Sequence, residues 1–228
     1  MRKLVAAAFV SLDGVMQAPG GPDEDPSGGF RHGGWIAGYS DVVLRRGTAE
    51  NFGRPFDLVL GRKTYDIWAA YWPYIDVDPS SSTFAAGAAE IANSFNQATK
   101  YVASRSRSEF AWQNSQWLGS DAVAAVRELK RGDGPDLLTQ GSSDFLQTLL
   151  AEDLVDELRL LVYPVTLGAG KRLFGAGARP AAFRLTRSVA ASSGVLVATY
   201  ERAGDVRPGS LALETPTEAE VERRKHLV

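Results

Sequence analysis

Residues 4–10 are apolar without a break, inside a segment, 3–11, that reads as a strand. An unbroken run of this length points to a strand covered on both faces, not a half-exposed one. Asp13-Gly14 stops it. Shorter runs at 57–60, 100–104 and 136–140, and a long one at 157–165, predict four more strands. Helical patterns lie between them. Residues 36–52 predict a helix with Ile36, Val43, Leu44 and Phe52 among its apolar positions. Residues 64–70 predict a short helix with Asp66 in its first turn. Residues 84–96 give a weaker helical pattern. In 121–130, Val123, Val126 and Leu129 form one stripe behind a Ser120 cap. Residues 143–151 form a helix behind Gly141.

The connections are polar. Residues 17–34, rich in Gly, Pro and Asp, predict a long surface loop, and 73–82 a second loop. Residues 183–190 and 194–202 read as the arms of a terminal antiparallel hairpin. Beyond 202 large apolar residues become scarce and 218–225 is dense in charge. The chain therefore divides into a domain, 1–202, and a tail, 203–228, that is partly ordered or carries a short exposed helix. Alternating strands and helices predict an α/β fold, a mostly parallel sheet with helices on both faces and the hairpin at one edge.

In open sheets of this class ligands collect at the carboxyl ends of strands. There this chain carries Asp13-Gly14, Gly61-Arg62-Lys63-Thr64, Ser104-Arg105-Ser106-Arg107, Gly141-Ser142-Ser143 and Gly168-Ala169-Gly170-Lys171-Arg172. Glycine at a strand end lets a ligand approach the backbone. Helix N–H groups beside Arg or Lys favour phosphate. The recurrence of glycine, hydroxyl and basic residues after successive strands points to a phosphate-bearing ligand.

Composition narrows the classes. With 228 residues, 44% hydrophobic and 23% charged, the chain can bury a sizeable core. A net charge of −2 gives no support for non-specific nucleic-acid binding. The absence of cysteine excludes disulfides and thiolate metal sites, and His32 and His226 lie too far apart in sequence to suggest a histidine-rich one. No metal is expected. No run approaches the roughly 18 apolar residues that span a membrane. Arg2-Lys3 before residues 4–10 is a short mimic of a signal peptide that leads straight into Ser11-Leu12-Asp13-Gly14, so a cytoplasmic protein is expected. Gly168-Ala169-Gly170-Lys171 resembles a fragment of a nucleotide-phosphate loop. Val165 and Arg172 stand where that loop needs Gly and a hydroxyl, which argues against kinase or ATPase chemistry. Nothing matches the Gly-x-Ser-x-Gly of serine hydrolases. Trp68, Tyr71 and Trp72 read as core or interface.

Several of these segments together resemble the dihydrofolate reductase-like fold, and specifically the RibD C-terminal reductase family of riboflavin biosynthesis. They are residues 3–14, Leu60-Gly61-Arg62-Lys63-Thr64-Tyr65, Gln140-Gly141-Ser142 with the following helix, and residues 154–174, the most family-specific stretch. The resemblance covers about residues 2–202. It implies a mixed sheet, NADPH as cofactor, and reduction of a small heterocyclic or ribosylamino-pyrimidine-like substrate. Backbone at Ala7 and its neighbours would fix the nicotinamide carboxamide. Arg62 and Lys63, helped by Ser104 and Arg105, would hold the 2′-phosphate. Gly61, Thr64, Gly141, Ser142, Ser143 and Gly168 complete the expected cofactor site. Asp13, Trp35 and Tyr39 would meet substrate, and Asp41 is the nearest counterpart of the proton-handling carboxylate. Pairing through residues 157–165 and the hairpin would make a homodimer. The chain departs from dihydrofolate reductases in having Gly141-Ser142 where they have two glycines, and Asp144 in place of a nearby basic residue. A dihydrofolate or pterin reductase and a non-catalytic NADPH-binding protein are the alternatives.

Overall fold

The computed structural model describes residues 1–39, 53–175 and 178–227. Among them, eight strands form one sheet: β1 (Leu4–Ser11), β2 (Phe56–Gly61), β3 (Lys100–Ala103), β4 (Ser115–Trp117), β5 (Asp136–Gln140), β6 (Glu157–Tyr163), β7 (Phe183–Ala190) and β8 (Leu196–Arg202). Their order is β4-β3-β2-β5-β1-β6-β8-β7. The first six are parallel, and β8 runs antiparallel to β6 and β7. Helices α1 (Arg62–Ala69), α2 (Ala86–Gln97), α3 (Ala122–Arg131) and α4 (Ser143–Ala151) follow or precede the parallel strands, and α5 (Glu218–Arg224) lies exposed in the tail.

The period of two along β1 divides the core. Leu4, Ala6, Ala8 and Val10 face a cluster containing Val126 of α3 and Leu146 and Leu149 of α4. Val5 and Ala7 face the other cluster, with Tyr65 of α1 and Phe95 of α2. Both faces of the central strand are therefore buried, as its unbroken apolar run requires.

Several details differ from the sequence expectation. Helix α1 starts at Arg62, so Asp66 falls in its second turn, where it pairs with Arg62 and Arg107 and not with the helix dipole. Asp121, not Ser120, caps α3: its side chain accepts from the Ala124 N–H at 2.9 Å. Strand β4, three residues long, was not anticipated; it adds to β3 at the sheet edge. Of the helix expected at 36–52, a 3-10 turn at Ala37–Tyr39 is seen, and residues 40–52 lie outside the described residues. Leu158 and Leu160, expected to help form a dimer face, are buried in the core. The exposed apolar residues of the hairpin are Leu185 and Leu196.

Candidate functional site

Strand register builds the site. Ala7 lies opposite Gln140, which puts Ala8 level with Gly141. Leu58 lies opposite Leu138, which puts Gly61 level with Gly141 as well. Gly61 lies opposite Ala103. Ala8, Gly61, Ala103 and Gly141 thus form a row across the carboxyl ends of β1, β2, β3 and β5. All four line one cavity of about 1400 Å3. That exceeds the roughly 300–1,000 Å3 of an ordinary small-molecule site, so two ligands have room. Strand β5 ends at Gln140 while β1 runs on to Ser11, so the edge of β1 beyond Ala7 is no longer paired to β5. Ala8 and Phe9 line the cavity there.

The basic residues follow from the same register. Because β2 and β3 end together, Lys63 and Arg105 emerge at neighbouring points. Neither makes a hydrogen bond or ion pair among the described residues. Arg62 does: its guanidinium contacts Asp66 at 2.5 Å, and Arg107 takes the other carboxylate oxygen. Ser104 shapes the turn after β3, its hydroxyl accepting from the N–H groups of Ser106 and Arg107 at 3.3 and 3.1 Å.

Gly61 and Ser142 bring the two phosphate-type turns together. A β-carbon on Gly61 would overlap the Ser142 hydroxyl and lie 2.8 Å from its β-carbon. Ser142 precedes α4 in a left-handed conformation, φ 66°, and its side chain makes no capping hydrogen bond. The first N–H groups of α4 are therefore not occupied by a side-chain cap, and Ser142, Ser143 and Asp144 line the cavity edge at this helix start. Thr64 is buried beside Gly141.

A loop and an aromatic wall close the rest. Residues 16–25 line the cavity. Lys171 ties that loop to the chain after β6: its ammonium contacts Asp25 at 2.5 Å and its N–H donates to the Gln17 carbonyl oxygen Oε1 at 2.9 Å. Burial alone would oppose ionisation of Asp25, but hydrogen bonds from Lys171 and Ser27 outweigh it and hold the carboxyl below its ordinary value. Burial pushes Glu24 the other way, above its ordinary value, against the lowering effect of the Gly20 and Gly21 N–H groups. Ile67, Trp68, Tyr71, Trp72, Ile91 and Phe95 form the wall. Trp68 and Trp72 also pack on the core cluster around Phe95, the core role expected from the sequence, so they serve both core and cavity.

Of the expected site residues, Gly61, Arg62, Lys63, Thr64, Ser104, Arg105, Gly141, Ser142 and Ser143 come together in this cavity. Ala7 is fully buried behind its neighbour Ala8. Asp13, Gly168, Trp35 and Tyr39 do not line it. The Asp13 carboxylate accepts from the Ser11 hydroxyl at 2.5 Å and from the Leu167 and Gly168 N–H groups at 3.1 and 2.8 Å. Those bonds, the Ser11 one foremost, hold it down to about 2. Asp13 and Gly168 are thus partners in a staple between the β1 turn and the loop after β6. Trp35 and Tyr39 pack edge-on against Tyr163 at 5.3 and 5.5 Å. Burial raises the Tyr163 hydroxyl far above its ordinary value. Asp41 lies outside the described residues. Among those that are described, no cluster of His, Asp and Glu has the makings of a metal site, and no helix is long and apolar enough to cross a membrane.

Known proteins give this geometry a family. Residues 2–197 match the model of the RibD C-terminal domain. The chain is 28% identical over 204 residues to the uncharacterized protein YyaP of Bacillus subtilis (strain 168), covering 87% of this chain and 94% of that one. It is 26% identical over 180 residues to the uncharacterized protein YwjB of the same organism, covering 76% and 83%. Among solved structures it is similar to a protein from Shewanella sp. PV-4 that carries a provisional riboflavin-biosynthesis name (TM-score 0.59, 20% identity, 88% of this chain and 99% of that one). It is also similar to dihydrofolate reductase from Enterococcus faecalis, solved with NADP(H) and RAB-propyl (TM-score 0.52, 13% identity, 88% and 96%). The two structural likenesses establish a dihydrofolate reductase-like fold. The family match spans almost the whole sheet, and this chain belongs to the RibD C-terminal domain family.

Proposed function

We propose that this protein is an NADPH-dependent reductase acting on a small heterocyclic or ribosylamino-pyrimidine-like substrate, in the manner of the riboflavin-pathway reductases. The observation that carries the reading is the row Ala8–Gly141–Gly61–Ala103, with Lys63 and Arg105 beside it in a cavity large enough for cofactor and substrate. A dinucleotide phosphate fits these residues on two counts. The α4 N–H groups suit an anion. Two cations without partners among the described residues stand where a 2′-phosphate would be read.

When bound, the nicotinamide supplies the hydride. The chain's part is position and charge. Backbone groups of β1 beyond Ala7, released from β5, hold the carboxamide edge. Lys63 and Arg105 neutralise the 2′-phosphate, with Arg62 shared between that role and Asp66. Gly141, Ser142 and Ser143 hold the pyrophosphate at the start of α4. The 16–25 loop excludes water from the reacting centre. Asp41 handles the substrate proton. Asp41→Asn should then lower turnover by roughly 10²–10⁴-fold, as removal of an acid–base group does, with cofactor affinity unchanged. Two copies pair through the β7–β8 hairpin, which carries exposed Leu185 and Leu196. Sedimentation at micromolar concentration should give twice the 24.5 kDa chain mass.

Direct titration of the unmutated protein with both cofactors tests the central claim. NADPH should bind at least tenfold tighter than NADH, since a charge-assisted contact to the 2′-phosphate contributes about 1.5 kcal/mol or more. Equal affinities would overturn it.

A further inference from the structure

We propose that Gln17 is a positioning residue: it holds the 16–25 segment as a fixed wall of the cavity and not as a closing lid, so that the cofactor enters a site already formed. That the ligand is NADPH rests on the reductase reading above; the fixed wall does not.

Glutamine is mostly a surface residue. Gln17 is only 4% exposed, although it borders the cavity beyond the end of β1. Its side-chain amide offers two N–H donors and a carbonyl acceptor, and all are engaged. Nε2 donates to the carbonyls of Asp25 and Ser27, each at 2.9 Å. Oε1 accepts from the Lys171 N–H at 2.9 Å. The Gln17 backbone carbonyl accepts from the Trp35 indole N–H at 2.8 Å. One residue thus joins the start of the segment, its far end, the chain after β6 and the limb that returns through residue 35. A buried polar network with every member satisfied rigidifies its surroundings, whereas each orphaned group costs about 1–3 kcal/mol.

The backbone around Gln17 closes the same unit. The Met16 N–H donates to the Lys171 carbonyl at 2.8 Å, and the Gly34 N–H to the Ala18 carbonyl at 2.9 Å. The Glu24 carboxylate accepts from the Gly20 and Gly21 N–H groups at 2.6 and 3.2 Å. The returning limb lies so close that a β-carbon on Gly33 would come 2.5 Å from the Gly21 carbonyl oxygen and 2.8 Å from the Pro22 α-carbon. All these contacts join groups of this chain, so the wall takes its shape without a ligand as polar partner. A lid, by contrast, exchanges one set of contacts for another and is drawn from the least stable part of a fold. Swinging this segment outward would part Gln17 from Lys171 and Trp35 and strand their buried donors.

Hydrogen exchange and stopped-flow binding of NADPH test this. In the ligand-free protein the Lys171 and Gly34 N–H groups should be protected to within about tenfold of that of Leu137, which donates to Lys3 in the central sheet. NADPH should not slow them further. Its binding should be a single step, with an observed rate that rises linearly with concentration and shows no plateau. Gln17→Leu should free Lys171 and Gly34 to exchange while Leu137 stays protected, which separates a displaced wall from an unfolded chain. It should also weaken NADPH about tenfold, as when the binding-competent shape falls to about a tenth of the population. Trp35→Phe, which removes only the indole donor, should act in the same direction by less. The proposal falls if Lys171 and Gly34 exchange freely in the unmutated ligand-free protein, if NADPH slows them, or if the observed rate reaches a plateau. It falls equally if neither substitution alters their exchange, or if Gln17→Leu frees them without weakening NADPH. Failure of NADPH itself to bind would count against the reductase reading alone, because exchange in the ligand-free protein and its two variants still decides the wall.

Discussion

Ser142 occupies the space that a side chain at position 61 would need: a β-carbon added to Gly61 falls within 2.8 Å of the Ser142 β-carbon and 3.2 Å of that of Phe145. The two residues sit at the carboxyl ends of adjacent parallel strands, Gly61 closing β2 and Ser142 two residues beyond β5. Their contact fixes the distance between the turn that opens α1 and the turn that opens α4. Glycine at 61 is thus required by its neighbour and not by its own backbone, whose φ of −73° any residue adopts.

Gly61→Ala should accordingly push the two turns apart. Overpacking of this kind costs about 1–3 kcal/mol. Both stability and NADPH affinity should fall. An alanine variant with unchanged melting temperature and cofactor affinity would show that the turns yield freely.

Ser142 carries the complementary strain. A non-glycine residue in the left-handed region costs about 1 kcal/mol or more. Ser142→Gly should relieve it and raise the melting temperature by about 2–4 °C, the shift expected for 1 kcal/mol in a chain of this size. A drop in melting temperature would mean that the serine side chain contributes more than its backbone costs.

Arg105 and Arg62 should not be equivalent. Arg62 is held by Asp66, whereas Arg105 has no partner among the described residues. Arg105→Ala should therefore narrow the NADPH-over-NADH preference more than Arg62→Ala does. Asp66→Asn, by freeing Arg62, should widen it. Cofactor titrations of the three variants at low and moderate salt check the order, since exposed charge contacts weaken with screening.

Much of this site was legible because the signals are local. A short apolar run, then glycine or serine, then basic or hydroxyl residues marks a strand end, and three such ends meet in the cavity at Gly61, Ser104 and Gly141. Strand β4 was not legible: Ser115, Gln116 and Trp117 carry no alternation, and only pairing with β3 makes them a strand. The aromatic wall was legible as core packing, which Trp68 and Trp72 do provide, but not as a cavity lining. Trp68 and Trp72 lie four residues apart, the spacing of any core-facing stripe, and sequence alone does not tell a core from a cavity lining. The staple role of Asp13 was not legible either: its partners Leu167 and Gly168 lie 154 and 155 positions away, beyond any local pattern.

Lys100 should prove structural. It is fully buried in β3, and its ammonium donates to the carbonyls of Phe95, Asn96 and Ala98 at 2.8, 3.1 and 2.9 Å, capping the end of α2. The ring of Trp112 lies 4.4 Å away. Burial lowers its pKa to about 8. Lys100→Met would take this donor from all three carbonyls, of which that of Asn96 also accepts from Gln113 and Asn114, at a cost of about 2 kcal/mol. Urea unfolding measures it; a change within about 0.5 kcal/mol would assign the carbonyls to other donors.

Asp13 gives the fold an acid-sensitive staple. Its carboxyl sits at about 2, below the ordinary 3.8, chiefly through the Ser11 hydroxyl and then through the Leu167 and Gly168 N–H groups. A carboxyl lowered on folding adds stability above its unfolded value and loses it as pH falls through the folded one. The contribution should therefore be complete above about pH 4 and fade toward pH 2. Glu24 shifts in the opposite direction and other carboxyls, Asp25 and Glu220 among them, shift in the same one, so the melting profile of the unmutated protein mixes several effects. Subtracting the profile of Asp13→Asn isolates the staple, because the amide retains one acceptor but does not titrate. The difference between the two proteins should be constant from pH 7 to pH 5 and shrink below pH 4. Hydrogen exchange at Leu167 and Gly168 should lose protection over the same interval. A difference that stays constant down to pH 2 would mean that Asp13 keeps its ordinary pKa in the folded chain or that these contacts do not stabilise it.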